Sequence, residues 1–264
     1  MPRRVVIHAG FHKTGTTSIQ QTLKLNRPLL KSVMRSVLRP GMKDLVSAAR
    51  GFSGYGDALS RAKFHNRFGS FLYEQPPMRR RVLCLSAEEL SGHLPGRPNV
   101  PTYRAAVDLA VDMAAGVKLV FPQAELVFFY TTRNPDDWLA SAYSEHVKSS
   151  SMTMEFDEFA TRFRSAADLD SIIEQVAGAV SGRVIQSRLE ETLDDTFGPA
   201  SRLLDICEVP QDLRDRMTRP DPANRRPDHS VMAELLKANR TIKNKTALKA
   251  VKQDILAQAR KGPV

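Results

Sequence analysis

The stretch "VVIHAGFHKTGTTSIQ" at residues 5–20 limits the possible folds of this chain more than any other. Three apolar residues lead into Gly10, and a second glycine, Gly15, precedes two threonines. Glycine permits a positive φ and a close approach of the main chain. The first turn of a following helix offers N–H groups to an anion. The stretch therefore predicts a strand, an anion-binding loop and a helix, with Lys13 supplying a full charge.

The loop differs from the Walker loop of ATP-binding proteins, which reads G-x-x-x-x-G-K-[ST]. Gly10 and Gly15 stand at the Walker distance, but Thr16 occupies the position of the Walker lysine. The lysine stands three residues earlier, at Lys13. This displacement predicts a phosphate ligand other than the magnesium complex of ATP.

Four apolar runs predict strands, and helical stretches separate them. Their residues show no clean alternation, which is typical of strands buried on both faces. The alternation of strands and helices predicts a three-layer α/β fold, P-loop-like, with helices on both faces of a central parallel sheet of four or five strands. We expect one domain over residues 1–264. The predicted strands are Arg4–His8, Arg81–Leu85, Glu125–Thr132 and Arg183–Gln186, and a predicted helix covers Thr102–Phe121.

Composition narrows the class of protein. The net charge of +10 favours anionic partners without choosing among them. The two cysteines, Cys84 and Cys207, form neither a disulfide framework nor a zinc motif. No segment reaches the ~18 apolar residues of a membrane span. We expect a cytoplasmic protein that does not span a membrane.

Polar groups follow three of the predicted strands, in "AGFHKTGTTS", "SAEELSGH" and "RNPDDWLASAYSEH". Parallel strands place these segments at one edge of the sheet, where α/β proteins bind ligands. In the third segment, Asn134 and Pro135 suit the start of a helix. Arg133 and Ser141 would then grip one phosphate from two sides. The alternative is that Arg133 pairs with a nearby aspartate as a local cap.

Two of these motifs resemble those of the sulfotransferases that use 3′-phosphoadenosine 5′-phosphosulfate as donor. "FHKTGTTSIQ" is similar to their 5′-phosphosulfate loop, and "RNPDDWLAS" is similar to their 3′-phosphate motif, with a serine eight residues after the arginine. The resemblance covers residues 5–20 and 125–145, with "SAEEL" as a looser third point.

The resemblance implies a role for each matching residue. Lys13 would contact the 5′-phosphate and the bridging oxygen that leaves, and Arg133 with Ser141 would bind the 3′-phosphate. The product would be 3′,5′-adenosine bisphosphate, and no metal would be required. The implied donor-binding residues are Lys13, Thr14, Gly15, Thr16, Thr17, Arg133 and Ser141, together with Arg225 and Arg226 in a Pro-rich segment.

A general base would take the proton of the acceptor. The candidates are Glu88, Glu89, His93 and His12, since family members use a histidine or a glutamate in this region. Glu88 stands nearest the end of the second predicted strand and is favoured, with His93 as the alternative. Ordinary roles also fit these residues, because acids are favoured in a first helical turn.

The sequence leaves the acceptor open. A small molecule, a lipid or a glycan with a hydroxyl or amine would serve, and the oligomeric state is undetermined. Two other classes of protein compete with a sulfotransferase: a P-loop kinase, and a non-enzymatic protein that binds a polyanion. A kinase needs a lysine at position 16, and a nucleic-acid binder more often shows an aromatic-rich basic surface. We therefore expect no nucleic-acid partner.

Overall fold

A computed structural model gives the fold and describes residues 1–221 and 228–261. One parallel sheet of five strands has the order β2-β3-β1-β4-β5. The α/β class and the parallel sheet predicted from the sequence are confirmed. The strands are β1 (Arg4–His8), β2 (Met34–Leu38), β3 (Val82–Ser86), β4 (Glu125–Thr132) and β5 (Arg183–Arg188).

Helices make up most of the remaining described chain. The α-helices are α1 (Thr16–Leu25), α2 (Arg27–Leu30), α3 (Lys43–Tyr55), α4 (Ala58–Tyr73), α5 (Ala105–Val120), α6 (Pro135–Ser149), α7 (Phe156–Arg162), α8 (Leu169–Ala179), α9 (Ala200–Ile206), α10 (Gln211–Arg214), α11 (His229–Thr241) and α12 (Lys245–Lys261). Single 3₁₀ turns cover Arg39–Met42, Glu88–Ser91, Arg164–Ala167 and Leu189–Thr192. Over the part of the chain that is described, none of the helices combines the length and apolar character that crossing a membrane requires.

The chain divides into two compact units. The sheet unit comprises Met1–Asn134 and Asp168–Ala223, and the helical unit comprises Pro135–Ala167 and Asn224–Val264. The single domain expected over residues 1–264 stays a prediction.

Both faces of the sheet are covered, which explains the continuous apolar runs in its strands. Val6 of β1 lies beside Cys84 and Val127 in the register, and these residues form one core cluster with α1, α2 and α9. The alternate residues Val5 and Leu83 are equally buried and lie outside that cluster. Helix α8 packs against β4, β5 and α5, and α5 packs against α4. The result is a three-layer arrangement within the sheet unit.

The two cysteines lie in the first of these layers. Cys84 and Cys207 are free and fully buried. The neighbouring Cys207 thiol and burial raise the pKa of the Cys84 thiol well above its ordinary value. Cys84 is therefore a buried free thiol.

The strand order has a switch point between β1 and β4. From β1 the chain moves to β2 on one side of the sheet, whereas from β4 it moves to β5 on the other side. Adjacent strands whose connections diverge in this way create the crevice in which α/β proteins bind ligands. The bounds predicted for β1 and β4 are confirmed, but β2 was not predicted.

The helical unit has a small core of its own. Val147 of α6 packs with Leu235 and Leu236 of α11. Lys252 of α12 is buried, and its ammonium donates to the carbonyl of Val147 at 2.5 Å and to two further oxygens. A cation at the last carbonyls of a helix is favourable. This lysine therefore holds α12 on α6.

Helix α1 offers a matched test of how the layers are held. Leu23 is fully buried, whereas Leu25 on the same helix is 48% exposed. We expect Leu23→Ala to lower the free energy of unfolding by about 2–5 kcal/mol, as buried leucines do, and Leu25→Ala to change it by less than about 0.5 kcal/mol. Urea unfolding measures both variants, and equal losses would contradict the packing described here.

Candidate functional site

Three hydroxyl groups hold the turn between β1 and α1 from the inside. Thr14 Oγ1 donates to the carbonyl of Phe11 at 2.6 Å, and Thr16 Oγ1 donates to the same oxygen at 3.3 Å. Ser91 Oγ, from the turn after β3, donates to the carbonyl of Ala9. These bonds turn carbonyl oxygens of the loop toward the protein. The carbonyls of Phe11 and Ala9 are therefore satisfied within the protein, and within the described residues the N–H groups that begin α1 have no side-chain cap.

The main chain of the loop adopts two left-handed conformations in three residues. Lys13 has φ 71°, and Gly15, the N-cap of α1, has φ 95°. Helix α1 begins at Thr16 with no acidic residue in its first turn. The N-terminus of such a helix attracts negative charge through its N–H groups and its dipole. The strand, loop and helix predicted from the sequence are all present.

Gly10 is required by close packing. A Cβ atom at this position would lie 2.6 Å from His8 Nε2 and 2.8 Å from Thr131 Oγ1. His8 is fully buried, its Nδ1 bonds to Ser86 Oγ at 2.8 Å, and burial lowers its pKa to about 3. His8 is therefore neutral at physiological pH and packs against the loop at Gly10.

Tyr103 anchors His12, the residue before Lys13. The main-chain N–H of His12 donates to Tyr103 Oη at 3.1 Å, and His12 Nδ1 lies 3.1 Å from the same oxygen. Tyr103 is 1% exposed and packs against Phe11, with 4.6 Å between the ring centroids. Burial, together with neighbouring cations, lowers the pKa of His12 well below its ordinary value. His12 is thus a neutral imidazole whose Nδ1 is engaged by the phenol.

Glu88 lies in the turn after β3, where it faces α1. Gln20 of α1 donates to Glu88 Oε2 at 3.0 Å. Burial raises the pKa of Glu88, and the charge of Glu89 raises it further. A carboxylate with a raised pKa can accept a proton at a pH nearer neutrality, which suits a general base.

Glu89 has a different environment from its neighbour. Its side chain is 1% exposed, and Oε1 accepts from Arg39 Nε at 2.9 Å and from Arg50 Nη2 at 2.7 Å. Within the described part of the chain, Oε2 makes no hydrogen bond. Glu89 is therefore held as the partner of two arginines, which sets it apart from the base candidate Glu88.

His93 lies close to His12 but is constrained. Its ring centroid is 6.3 Å from that of His12, and its main-chain N–H donates to Ser53 Oγ at 2.9 Å. His93 Nδ1 accepts from the N–H of Leu94 at 3.0 Å. The main chain therefore occupies Nδ1 of His93.

Arg133 joins the same edge of the sheet from the end of β4. Its Nη1 lies 3.5 Å from the carbonyl oxygen of Lys13, so the guanidinium of Arg133 reaches the loop after β1. The hydroxyl of Thr14 is engaged inside the loop, so only the main chain of Thr14 is left to contact a ligand. Thr17 is exposed. The sequence prediction that the ends of β1, β3 and β4 converge is confirmed.

Three further residues were predicted to bind the donor: Ser141, Arg225 and Arg226. Ser141 is half-buried on α6 of the helical unit, and its sharing of a phosphate with Arg133 stays a prediction. Arg225 and Arg226 lie outside the described residues. Helix α6 does begin at Pro135, as the sequence indicates.

Three side chains here have the ligand types of a metal site. Single atoms of His12, Glu88 and Glu89 lie within 4.8 Å of one another. The positive charges around them disfavour binding of a divalent cation. Arg39 and Arg50 already form ion pairs with Glu89. The charges of Arg50 and Lys13 also lower the pKa of His12. Like charges at these separations repel strongly in a partly buried site. The electrostatics of the cluster therefore suit an anion.

Sequence reasoning missed several residues of the site. Tyr103 and Arg50 reach it from a loop before α5 and from α3, and Arg39 follows the strand that was not predicted. No local pattern marks such residues, because their roles come from contacts between distant segments. The motif residues were found because a phosphate loop is a local structure.

Comparison of the chain with protein-family models, with curated proteins and with solved structures finds no match. The likeness to sulfotransferases therefore rests on the motif residues themselves.

The two left-handed residues of the loop respond differently to substitution. We expect Lys13→Gly to change the free energy of unfolding by less than about 0.5 kcal/mol, because glycine accepts a positive φ readily but gives a more flexible unfolded chain. Gly15→Ala should lower it by at least about 1–2 kcal/mol through left-handed strain. The added Cβ would also lie 2.9 Å from Leu189 Cδ1. Urea unfolding tests the pair, and a neutral Gly15→Ala would contradict this geometry.

Proposed function

We propose that this protein transfers a sulfuryl group from 3′-phosphoadenosine 5′-phosphosulfate to a hydroxyl or amine of an acceptor. One observation carries the proposal: the loop after β1 turns its carbonyls inward, and Lys13 stands before the N-terminus of α1 in place of a Walker lysine. This arrangement suits a nucleotide that has no γ-phosphate and therefore binds without a metal ion.

The donor would lie across the ends of β1 and β4. The N–H groups of Gly15, Thr16 and Thr17 would hold its 5′-phosphate, as the N-terminus of a helix does for anions. Lys13 would stabilise the charge that develops on the bridging oxygen. Arg133, whose side chain reaches the loop, would take the 3′-phosphate, and Ser141 is the partner that the motif predicts.

The transfer would be an in-line displacement at sulfur. The acceptor oxygen or nitrogen forms a bond to sulfur while the bond from sulfur to the 5′-phosphate oxygen breaks. The electron pair stays on that phosphate oxygen beside Lys13, and the acceptor proton passes to Glu88. Glu88 is preferred to His93 because His93 Nδ1 already accepts from Leu94. Positioning and charge stabilisation supply the rate enhancement in such transfers.

Two other functions would require different residues around the loop. A P-loop kinase would hold Mg²⁺ with an aspartate at the end of a strand beside β1, but β3 ends at Ser86 and β4 ends at Thr132. A protein that only binds polyanions would not need a carboxylate with a raised pKa beside the phosphate loop. Both remain as outcomes of the experiments below.

We place the reaction in the cytoplasm. Cys84 and Cys207 are neighbouring free thiols in the core. A reducing compartment prevents such thiols from oxidising to a disulfide. The partners we propose are the sulfate donor and a small-molecule, lipid or glycan acceptor.

Nucleotide binding gives the first test. We expect 3′,5′-adenosine bisphosphate to raise the melting temperature without metal and in the presence of EDTA, because the proposed site holds both phosphates with protein cations. At 100 times its dissociation constant, a ligand stabilises the fold by about 2.7 kcal/mol. ATP with Mg²⁺ is the comparison, and 5′-AMP controls for the 3′-phosphate. A larger, magnesium-dependent shift with ATP would favour the kinase.

The role of Glu88 gives the second test. Glu88→Gln keeps the shape of the side chain and removes the base, so we expect turnover to fall by about 10²–10⁴-fold, with bisphosphate affinity unchanged. In the wild type, turnover should rise with pH through the raised pKa of Glu88, because only the carboxylate accepts a proton. Single-turnover transfer and calorimetry measure these quantities, with His93→Ala as the matched variant. Normal turnover in Glu88→Gln would remove Glu88 from the mechanism.

The same variant has a consequence for stability. A carboxyl group whose pKa is higher in the folded protein stabilises the fold below its ordinary pKa, and this contribution is lost as pH rises. We therefore expect the unfolding free energy of the wild type to fall relative to that of Glu88→Gln as pH rises through the raised pKa. Parallel pH dependences in urea unfolding would show that the pKa of Glu88 is not raised.

A further inference from the structure

Gln20 connects helix α1 to the turn that follows β3. Its side-chain Nε2 donates to Glu88 Oε2 at 3.0 Å. Gln20 stands four residues after Thr16, and residues at this spacing lie on the same face of a helix. Thr16 Oγ1 donates to the carbonyl of Phe11 in the loop after β1. One face of α1 therefore contacts both the loop proposed to hold the donor and the candidate base.

The turn that carries Glu88 is held by its other residues as well. Ser91 ends this turn, and its Oγ donates to the carbonyl of Ala9 in the loop after β1. Glu89 is fixed by its ion pairs with Arg39 and Arg50. These contacts fix the main chain of the turn, and the hydrogen bond from Gln20 then orients the carboxylate of Glu88.

Several charged and titratable groups lie around the carboxylate of Glu88. Burial and then the charge of Glu89 raise its pKa, whereas its own main-chain N–H, the charge of Arg39 and the hydrogen bond from Gln20 lower it. A hydrogen bond to a carboxylate favours the charged form. Gln20 therefore opposes burial and helps to keep Glu88 in the form that accepts a proton. The neighbouring groups are Glu89, His12, Arg39 and Tyr103.

We infer that Gln20 is a positioning residue for the proposed base: it holds Oε2 of Glu88, so that Oε1 takes the proton of the acceptor. The inference rests on the proposed sulfuryl transfer, in which Glu88 is the base. In that step the O–H or N–H bond of the acceptor breaks, its proton bonds to Oε1, and the resulting carboxylic acid later gives the proton to water. Gln20 acts through Glu88 and touches neither substrate. Because α1 also begins at the donor loop, one helix supports both the donor and the base.

The test removes the hydrogen bond and keeps the size of the side chain. Gln20→Met has no donor, and Gln20→Glu places a second carboxylate beside Glu88. Gln21→Met is the matched control, because Gln21 is the next residue of α1 and is exposed. The titration of Glu88 is followed by NMR in protein labelled with ¹³C at the glutamate carboxyl groups, and the signal is assigned by its loss in Glu88→Gln. This measurement needs no acceptor.

We expect Glu88 to titrate at higher pH in Gln20→Met than in the wild type, because the carboxylate loses a hydrogen bond. Single-turnover transfer is then measured against pH, with tyramine and glucosamine as acceptor probes, since each has a hydroxyl and an amine. The pH profile should move upward in Gln20→Met and further in Gln20→Glu, where like charges repel. Below the midpoint, turnover of Gln20→Met should fall by about tenfold, as loss of one hydrogen bond to a charged group implies. Affinity for the bisphosphate should not change, and Gln21→Met should behave as the wild type.

The outcomes separate this inference from the proposed function. If the bisphosphate binds but Glu88 titrates in Gln20→Met as in the wild type, Gln20 does not act on the base and the sulfotransferase proposal stands. If turnover falls equally at every pH, the role of Gln20 is structural and the inference is wrong. If the bisphosphate does not bind the wild type, or Glu88→Gln turns over normally, there is no base for Gln20 to position and the inference fails with that part of the proposed function.

Discussion

Hydrogen bonds from buried hydroxyls to main-chain carbonyls hold the loop on which the rest of the site depends. Thr14, Thr16 and Ser91 take the carbonyls of Phe11 and Ala9. These bonds fix the orientation of the peptide groups in the loop. Lys13 and Gly15 have left-handed main-chain conformations, and with them the loop brings the N-terminus of α1 to the end of β1. Ser91 comes from the turn that carries Glu88 and Glu89, so one hydrogen bond connects the loop after β1 to the turn with the two carboxylates.

The parallel sheet distributes charge along this edge in a definite order. Arginines follow β2 and β4, carboxylates follow β3, and a neutral histidine and a lysine follow β1. Burial and the neighbouring cations together keep His12 neutral, and burial together with Glu89 raises the pKa of Glu88. In the proposed transfer, this order would place the proton acceptor Glu88 beside the cations that hold the donor.

The sequence predicted what is encoded locally. Residues 4–8 and 125–132 are apolar, β-rich runs, and they became β1 and β4 with the expected bounds. The strand Met34–Leu38 was missed because it contains Arg35, and because the apolar residues before it recur at spacings that suit a helix as well. Tyr103, Arg39 and Arg50 could not be assigned from sequence, since they enter the site through packing. Local patterns revealed the phosphate loop, and tertiary contacts revealed what surrounds it.

A crystal structure with 3′,5′-adenosine bisphosphate tests the central claim most directly. The account predicts the 5′-phosphate within hydrogen-bond distance of Lys13 Nζ and of the N–H groups of Gly15, Thr16 and Thr17, with the 3′-phosphate at Arg133. It also predicts that Arg39 and Arg50, which bind Glu89, do not touch the nucleotide. A bisphosphate bound elsewhere, or one whose phosphates contact Arg39 and Arg50 while Lys13 makes no contact, would contradict it.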